Sequence, residues 1–161
     1  MNKLVLWWAA ALLAAMASAT VASGASTKSV TINLVEKDIA FNFVDNPPKG
    51  GKNKPPSMGD SFVFTSALLT KSGGRAGHLE ATCSVTTAGA KGWSTCTGVL
   101  ALAGGQLAAV ALVPTQNNVP QDISIVGGTG AYAGATGVLH TVSRGQNSPY
   151  SDDTIHLILP T

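Results

Sequence analysis

The stretch IVGGTGAYAGATG, residues 125–137, decides how the chain is read. Five glycines in thirteen positions follow a short apolar run, at nearly the spacing of a dinucleotide-binding loop. Such a loop needs a parallel strand before it, a helix opening at its last glycine and an acidic residue about 20 positions on. Here the next segment, GVLHTVSRG, has strand composition with another turn behind it, so the phosphate-loop reading is rejected. The glycines instead permit tight, left-handed backbone between two strands, and Tyr132 is the one large side chain able to anchor the turn.

Outward from this stretch the hydrophobic pattern has a period of two. Short runs rich in Val, Thr, Ile and Phe, bounded by turn residues, predict strands over about 30–36, 39–44, 60–69, 77–87, 93–103, 106–113, 122–127, 136–144 and 153–159. No amphipathic helix is expected, and the regular spacing argues for an antiparallel all-β barrel or sandwich. Two hairpins can be registered. A two-residue loop at Gly104-Gly105 pairs Ala103 with Gln106, Leu102 with Leu107 and Leu100 with Ala109. A turn near 88–91 places Cys83 opposite Cys96, with Val85 facing Ser94 and Ala81 facing Gly98, which predicts a disulfide. The same alternation puts Leu79, Ala81, Cys83 and Val85 on a buried face and His78, Glu80, Thr82, Ser84 and Thr86 on a wet one.

The N-terminal sequence MNKLVLWWAAALLAAMASA has one positive charge, an apolar run too short for a bilayer span and a small-residue end, the plan of a secretory signal peptide over 1–19. Residues 20–29 read as a disordered lead-in and 30–161 as a single β-barrel domain. Export suits the two cysteines, because disulfides persist in oxidising compartments. The expected location is therefore secreted, with no membrane span. Loss of Lys3 leaves nine basic residues against eight acidic ones, so there is no electrostatic footprint for nucleic acid. Lys49, Lys52 and Lys54, in PPKGGKNKPP, read as a solvated loop.

The string from Gly127 through Gly128, Gly130, Tyr132 and Gly134 to Gly137 resembles the Gly-Gly-Thr-Gly-x-(Phe/Tyr)-x-Gly-Ala-x-Gly signature of the dirigent and allene oxide cyclase barrels. VEKD in an early strand, GDSFVF at 59–64, the Cys83/Cys96 hairpin and the closing TIHLIL fall in the order seen in bacterial dirigent-like proteins. The resemblance implies an eight-stranded antiparallel β-barrel that binds a small hydrophobic molecule, with a homo-oligomer, trimer or dimer, among the family's assemblies. It also implies stereoselective coupling or cyclisation by confinement of a reactive substrate.

Glu36 continues the alternation Val30, Ile32, Leu34 along the inner face, where a desolvated carboxyl is raised in pKa and suited to acid or base work. It is the candidate catalytic residue. Phe62 and Phe64 share a face with Ser66 and Leu68 as core or pocket wall, and Arg144 is a candidate cation in or above the pocket. Asp60 reads as a turn residue that satisfies backbone amides. Three histidines on three strands lack the spacing of a metal site, and no Gly-x-Ser-x-Gly elbow exists, so neither a metal, a cofactor nor a triad hydrolase is expected. The leading reading is a dirigent-like barrel that steers or catalyses ring closure or coupling. The alternatives are a non-catalytic ligand carrier and a structural module with a filled interior.

Overall fold

The computed structural model describes residues 26–47, 55–115 and 119–161. The signal peptide assigned to 1–19 and the lysine-bearing loop at 49–54 lie outside these residues. Eight strands form a closed antiparallel barrel in chain order: β1 (Thr27–Val44), β2 (Ser61–Leu69), β3 (Arg75–Thr87), β4 (Trp93–Leu102), β5 (Gly105–Pro114), β6 (Gln121–Gly128), β7 (Thr136–Ser143) and β8 (Tyr150–Pro160). Every neighbour in the chain is a neighbour in the sheet, and β1 closes the ring by pairing with β8. Among the described residues, β1 runs on past the start of β8 at Tyr150, and β5 and β6 pair only from Leu107–Val110 to Ser124–Gly128, so that the ends of these strands part beyond Val110.

The expected runs 30–36 and 39–44 are one strand. The two charged residues between those runs, Lys37 and Asp38, stay in the strand, which absorbs the break in alternation with a bulge between Asp38 and Ala40 and continues, now paired only with β2. The strand also begins at Thr27, inside the segment read as a lead-in, because residues 27–29 pair with Pro160, Leu159 and Ile158.

The β3–β4 hairpin has the register expected from sequence, with Cys83 opposite Cys96 and joined to it by a disulfide. The β4–β5 hairpin is corrected by two residues: Leu102 faces Gly105 and Leu100 faces Leu107, so the turn is Ala103-Gly104. Gly105 belongs to the strand because its backbone lies against the Thr129 carbonyl, where a Cβ has no room. Slippage by an even number keeps every side chain on its own face.

The glycine-rich stretch folds over this turn. Gly130, Ala131 and Tyr132 form a single 3-10 turn, and Gly130 has φ +61°, which favours glycine. The Ala131 N–H donates to the Gly104 carbonyl at 2.8 Å, and the Thr129 N–H donates to the Gln106 carbonyl at 2.9 Å. Tyr132 packs against the core. Two turns distant in sequence thereby tie β5, β6 and β7 together.

The core fills part of the barrel. Leu68, Leu100, Leu107, Leu139, Ile155 and Leu157 are fully buried, and the cross-strand row Leu79–Leu100–Leu107 lies among them. Burying each such side chain contributes about 1.5–3 kcal/mol. None of the described helices is long and apolar enough to cross a membrane.

Candidate functional site

Beyond the leucine row the inward side chains of β3, β4 and β5 become small. Two cross-strand rows run Phe64–Ala81–Gly98–Ala109 and Phe62–Cys83–Cys96–Ala111. Methyl groups, a bare glycine and a disulfide do not fill a barrel of eight strands, and a cavity of about 350 Å³ remains. Leu79, Leu100 and Leu139 bound it on the side of the core. A void of this size is in the range of small-molecule sites. The filled interior that would have favoured the structural-module alternative is not found among the described residues.

The strands across the barrel carry polar groups at the same cavity. One row is Gln121–Thr141–Asp153 and the next is Ser143–Ser151–Glu36. All of these except Asp153 line the void directly. No described residue that lines it is basic.

Glu36 is 9% exposed and Asp153 2% exposed. Burial pushes the Glu36 carboxyl up from 4.5 to about 8, and the negative charges of Asp153 and Asp38 push in the same direction. A hydrogen bond from Ser66 on β2 opposes the rise. The carboxyl is therefore protonated at neutral pH. Burial also raises Asp153, while Thr141 and Glu36 ease its charge. Neither Asp153 carboxyl oxygen has a partner at full hydrogen-bond geometry, and the neighbouring groups that ease its charge are the Thr141 hydroxyl and the Glu36 carboxyl. Asp153 thus stands behind Glu36 and favours its acid form.

All four phenylalanines of the chain belong to the β1–β2 hairpin. Phe62 and Phe64 line the cavity with ring centroids 6.4 Å apart and planes at 23°. The exposed Phe41 ring lies 5.6 Å from Phe62. Register places Phe41 opposite Phe64 and Phe43 opposite Phe62, because the bulge in β1 shifts their alternation.

The residues singled out in sequence fall in three places. Glu36, Phe62, Phe64, Cys83 and Cys96 all border the cavity. Asp60 is buried away from it and accepts hydrogen bonds from the Asn46 N–H (2.9 Å), the Ser57 N–H (2.7 Å) and the Ser57 hydroxyl (3.0 Å), which hold its carboxyl below the usual range. Arg144, expected in or above the pocket, is not among the lining residues. Its guanidinium makes a two-pronged contact with Asp152, at 2.7 and 3.0 Å, on the exposed side of the β7–β8 hairpin. The preceding Ser143 is the residue that faces inward there, so strand alternation turns Arg144 away.

His140 pairs with Asp122 at 2.7 Å and His156 with Thr31 at 3.1 Å, both exposed, and the described residues hold no group of three or more metal-ligating side chains. Sequence reasoning missed Asp153, Thr141, Ser143 and Ser151. The signal for Asp153 was its phase with Ile155 and Leu157 in the strand expected over 153–159, which places all three on the inner face.

No curated protein matches the sequence. Among solved structures, a pyocyanin demethylase is 27% identical with a TM-score of 0.66, over 80% of this chain and 99% of that one. The pterocarpan synthase dirigent protein GePTS1 is 14% identical with a TM-score of 0.70, over 85% and 93%. AbnU, an exo-specific intermolecular Diels-Alderase, is 18% identical with a TM-score of 0.67, over 83% and 98%. The last two likenesses speak to the fold. Residues 29–154 match the family described as the allene oxide cyclase barrel like domain, and a match over this much of the closed barrel means that the chain belongs to that family.

Proposed function

We propose that the protein is an exported barrel that binds a small, largely apolar molecule in this cavity and directs its cyclisation or coupling, with Glu36 as proton donor. The observation that carries the reading is a buried carboxyl, raised in pKa by its burial, at the wall of a largely apolar cavity that Phe62 and Phe64 also line. An acid poised near neutral pH is matched to proton transfer at that pH. Glu36 gives a hydrogen bond, or its proton, to an oxygen or nitrogen of the bound molecule as negative charge builds there. It regains the proton when that charge is released. The walls hold the reacting ends together, which converts an encounter in solution into an oriented one.

The named relatives lend support: one is a demethylase of pyocyanin, and others are a pterocarpan synthase and a Diels-Alderase. The exported part of the reading is supported by the signal-peptide-like composition of residues 1–19 and by the disulfide.

The test compares culture products of the producing organism carrying the wild-type protein or Glu36→Gln. Glutamine keeps the shape and loses the acid. The expected result is loss of one cyclised or coupled product, or of its stereochemical purity, with the variant folded and present at wild-type level. An unchanged product profile overturns the reading.

A further inference from the structure

The two ends of the barrel are unlike. At one end the turns over 70–74, 103–104 and 129–135 lie beyond the leucine core, and none of their described residues is an exposed large hydrophobic. At the other end the cavity reaches the ends of the strands: Val113 and Pro114 finish β5, Val119 and Gln121 lead into β6, and Ser143 finishes β7. Around this mouth, from β1 round to β6, Phe43, Met58, Trp93, Leu112 and Val119 are all exposed, Met58 and Leu112 by more than half. Phe41 and Phe43 do not line the cavity but stand on the part of β1 that runs past β8, and the Phe41 ring lies 5.6 Å from Phe62, which does line it. Apolar surface thus extends from the cavity wall out onto the rim. The remaining arc, on β7 and β8, is polar and carries the Arg144–Asp152 pair. An apolar arc of this kind on a protein surface marks a place where something docks.

Charge indicates what docks there. The two connections that carry Met58 and lead into Trp93, residues 45–60 and 88–92, hold Lys49, Lys52, Lys54 and Lys91 against Asp45 and Asp60. Asp60 is buried, and its carboxylate is satisfied by Asn46 and Ser57. Three of these lysines belong to 48–54, outside the described residues, and are no part of the docking surface itself. A second copy of the chain would set this positive charge against its own kind, whereas an anionic lipid surface complements it. A lipid interface also accepts separate apolar side chains and favours the indole ring in particular. Lys71 and Arg75 make the closed end basic as well, but nothing apolar is exposed in its turns for insertion, so the rim decides the orientation. We propose that the open rim docks on an anionic lipid surface, with Phe43, Met58, Trp93, Leu112 and Val119 set into the interface and the cavity mouth facing the bilayer, where an apolar ligand is concentrated. The inference goes beyond the reading above, because docking requires neither Glu36 nor a reaction.

Trp93 supplies the reporter: Trp7 and Trp8 fall within residues 1–19, so the mature, disulfide-bonded chain has one tryptophan. The experiment mixes that chain at low salt with vesicles of phosphatidylcholine, or of equal parts phosphatidylcholine and phosphatidylglycerol. Binding is followed by flotation, by Trp93 emission and by quenching with lipids brominated on their acyl chains. The mixed vesicles are expected to carry the protein, shift Trp93 emission to the blue and quench it when brominated, with binding about tenfold or more weaker to phosphatidylcholine alone. Phe43→Ser combined with Met58→Ser, with circular dichroism verifying the barrel, should weaken binding by about tenfold or more. Absence of flotation, flotation without quenching of Trp93, equal binding to both vesicles, or undiminished binding by the folded double variant would overturn the proposal. A blue shift that follows protein concentration without vesicles would overturn it too, and assign the rim to a second copy. Wild-type quenching decides the matter even if the double variant does not fold. A protein that ignores vesicles yet takes up small hydrophobic molecules leaves the reading of the cavity standing, so the two fail separately.

Discussion

Glu36 on β1 and Asp153 on β8 are buried carboxyl groups that meet inside the barrel with no basic lining residue described between them. Two such groups cannot both ionise cheaply, so the fold itself retains a proton. An acid raised in the folded state from 4.5 to about 8 binds a proton that the unfolded chain has already released between those values. Stability linked to Glu36 is therefore greatest below the unfolded value and declines as pH rises through the window, flattening above about 8. Denaturant unfolding should give a free energy higher near pH 5 than near pH 8 by the order of a few kcal/mol. Glu36→Gln should remove most of that slope; a wild-type slope retained in the variant would place its origin elsewhere.

Asp153→Asn removes a negative charge that helps keep Glu36 protonated, while burial continues to act. The midpoint of Glu36 should fall but stay above the ordinary 4.5. Carbon-13 NMR of glutamate side-chain carboxyls across pH reads this directly, and an unmoved midpoint would mean that Asp153 plays no part in holding the proton.

The glycine-rich segment predicts a contrast among neighbours. At Gly137 a Cβ would collide with the His156 carbonyl on β8, and at Gly130 a positive φ is combined with close approach to the Gly104 carbonyl. Alanine at either position should cost about 2–4 kcal/mol. At Gly127 a Cβ meets nothing within 4 Å, so alanine there should be nearly neutral. Urea midpoints for the three variants settle the order.

Replacing both cysteines by serine opens a link between residues 13 apart in sequence. Chain entropy alone puts the loss at about 3 kcal/mol, and reduction of the wild-type protein should reproduce it. Equal stability of the oxidised protein and the double variant would contradict that.

Arg144→Ala should leave ligand binding unaltered and stability little changed, because its partner Asp152 is an exposed surface carboxylate and solvent screens the pair. Weakened binding with an intact barrel would return Arg144 to the site.

What could be read without coordinates follows from how local each feature is. The Cys83–Cys96 register was legible because alternation in both strands and one short turn fix it together. The turn after Leu102 was misplaced because Gly105 serves a close approach to Thr129, more than 20 residues later, which no local pattern records. The bulge at Asp38 was hidden for a related reason: the alternation breaks between Glu36 and Ile39, which divides the run in two, and only pairing with β2 on both sides shows one strand. Glu36 could be placed on the inner face by its phase with Leu34, whereas the cavity it borders depends on small residues of β3, β4 and β5 coming to rest in the same rows. That alignment is set by strand stagger around the whole barrel.

The most direct measurement is native mass spectrometry of the protein recovered without denaturation from its producer's culture medium, for the wild type and for Gly98→Leu. Wild-type protein carrying one defined small molecule, absent from a folded Gly98→Leu barrel, is the result expected if the cavity facing Glu36 is the working site. A wild-type protein that is empty on isolation and stays empty with a panel of small hydrophobic compounds would contradict it.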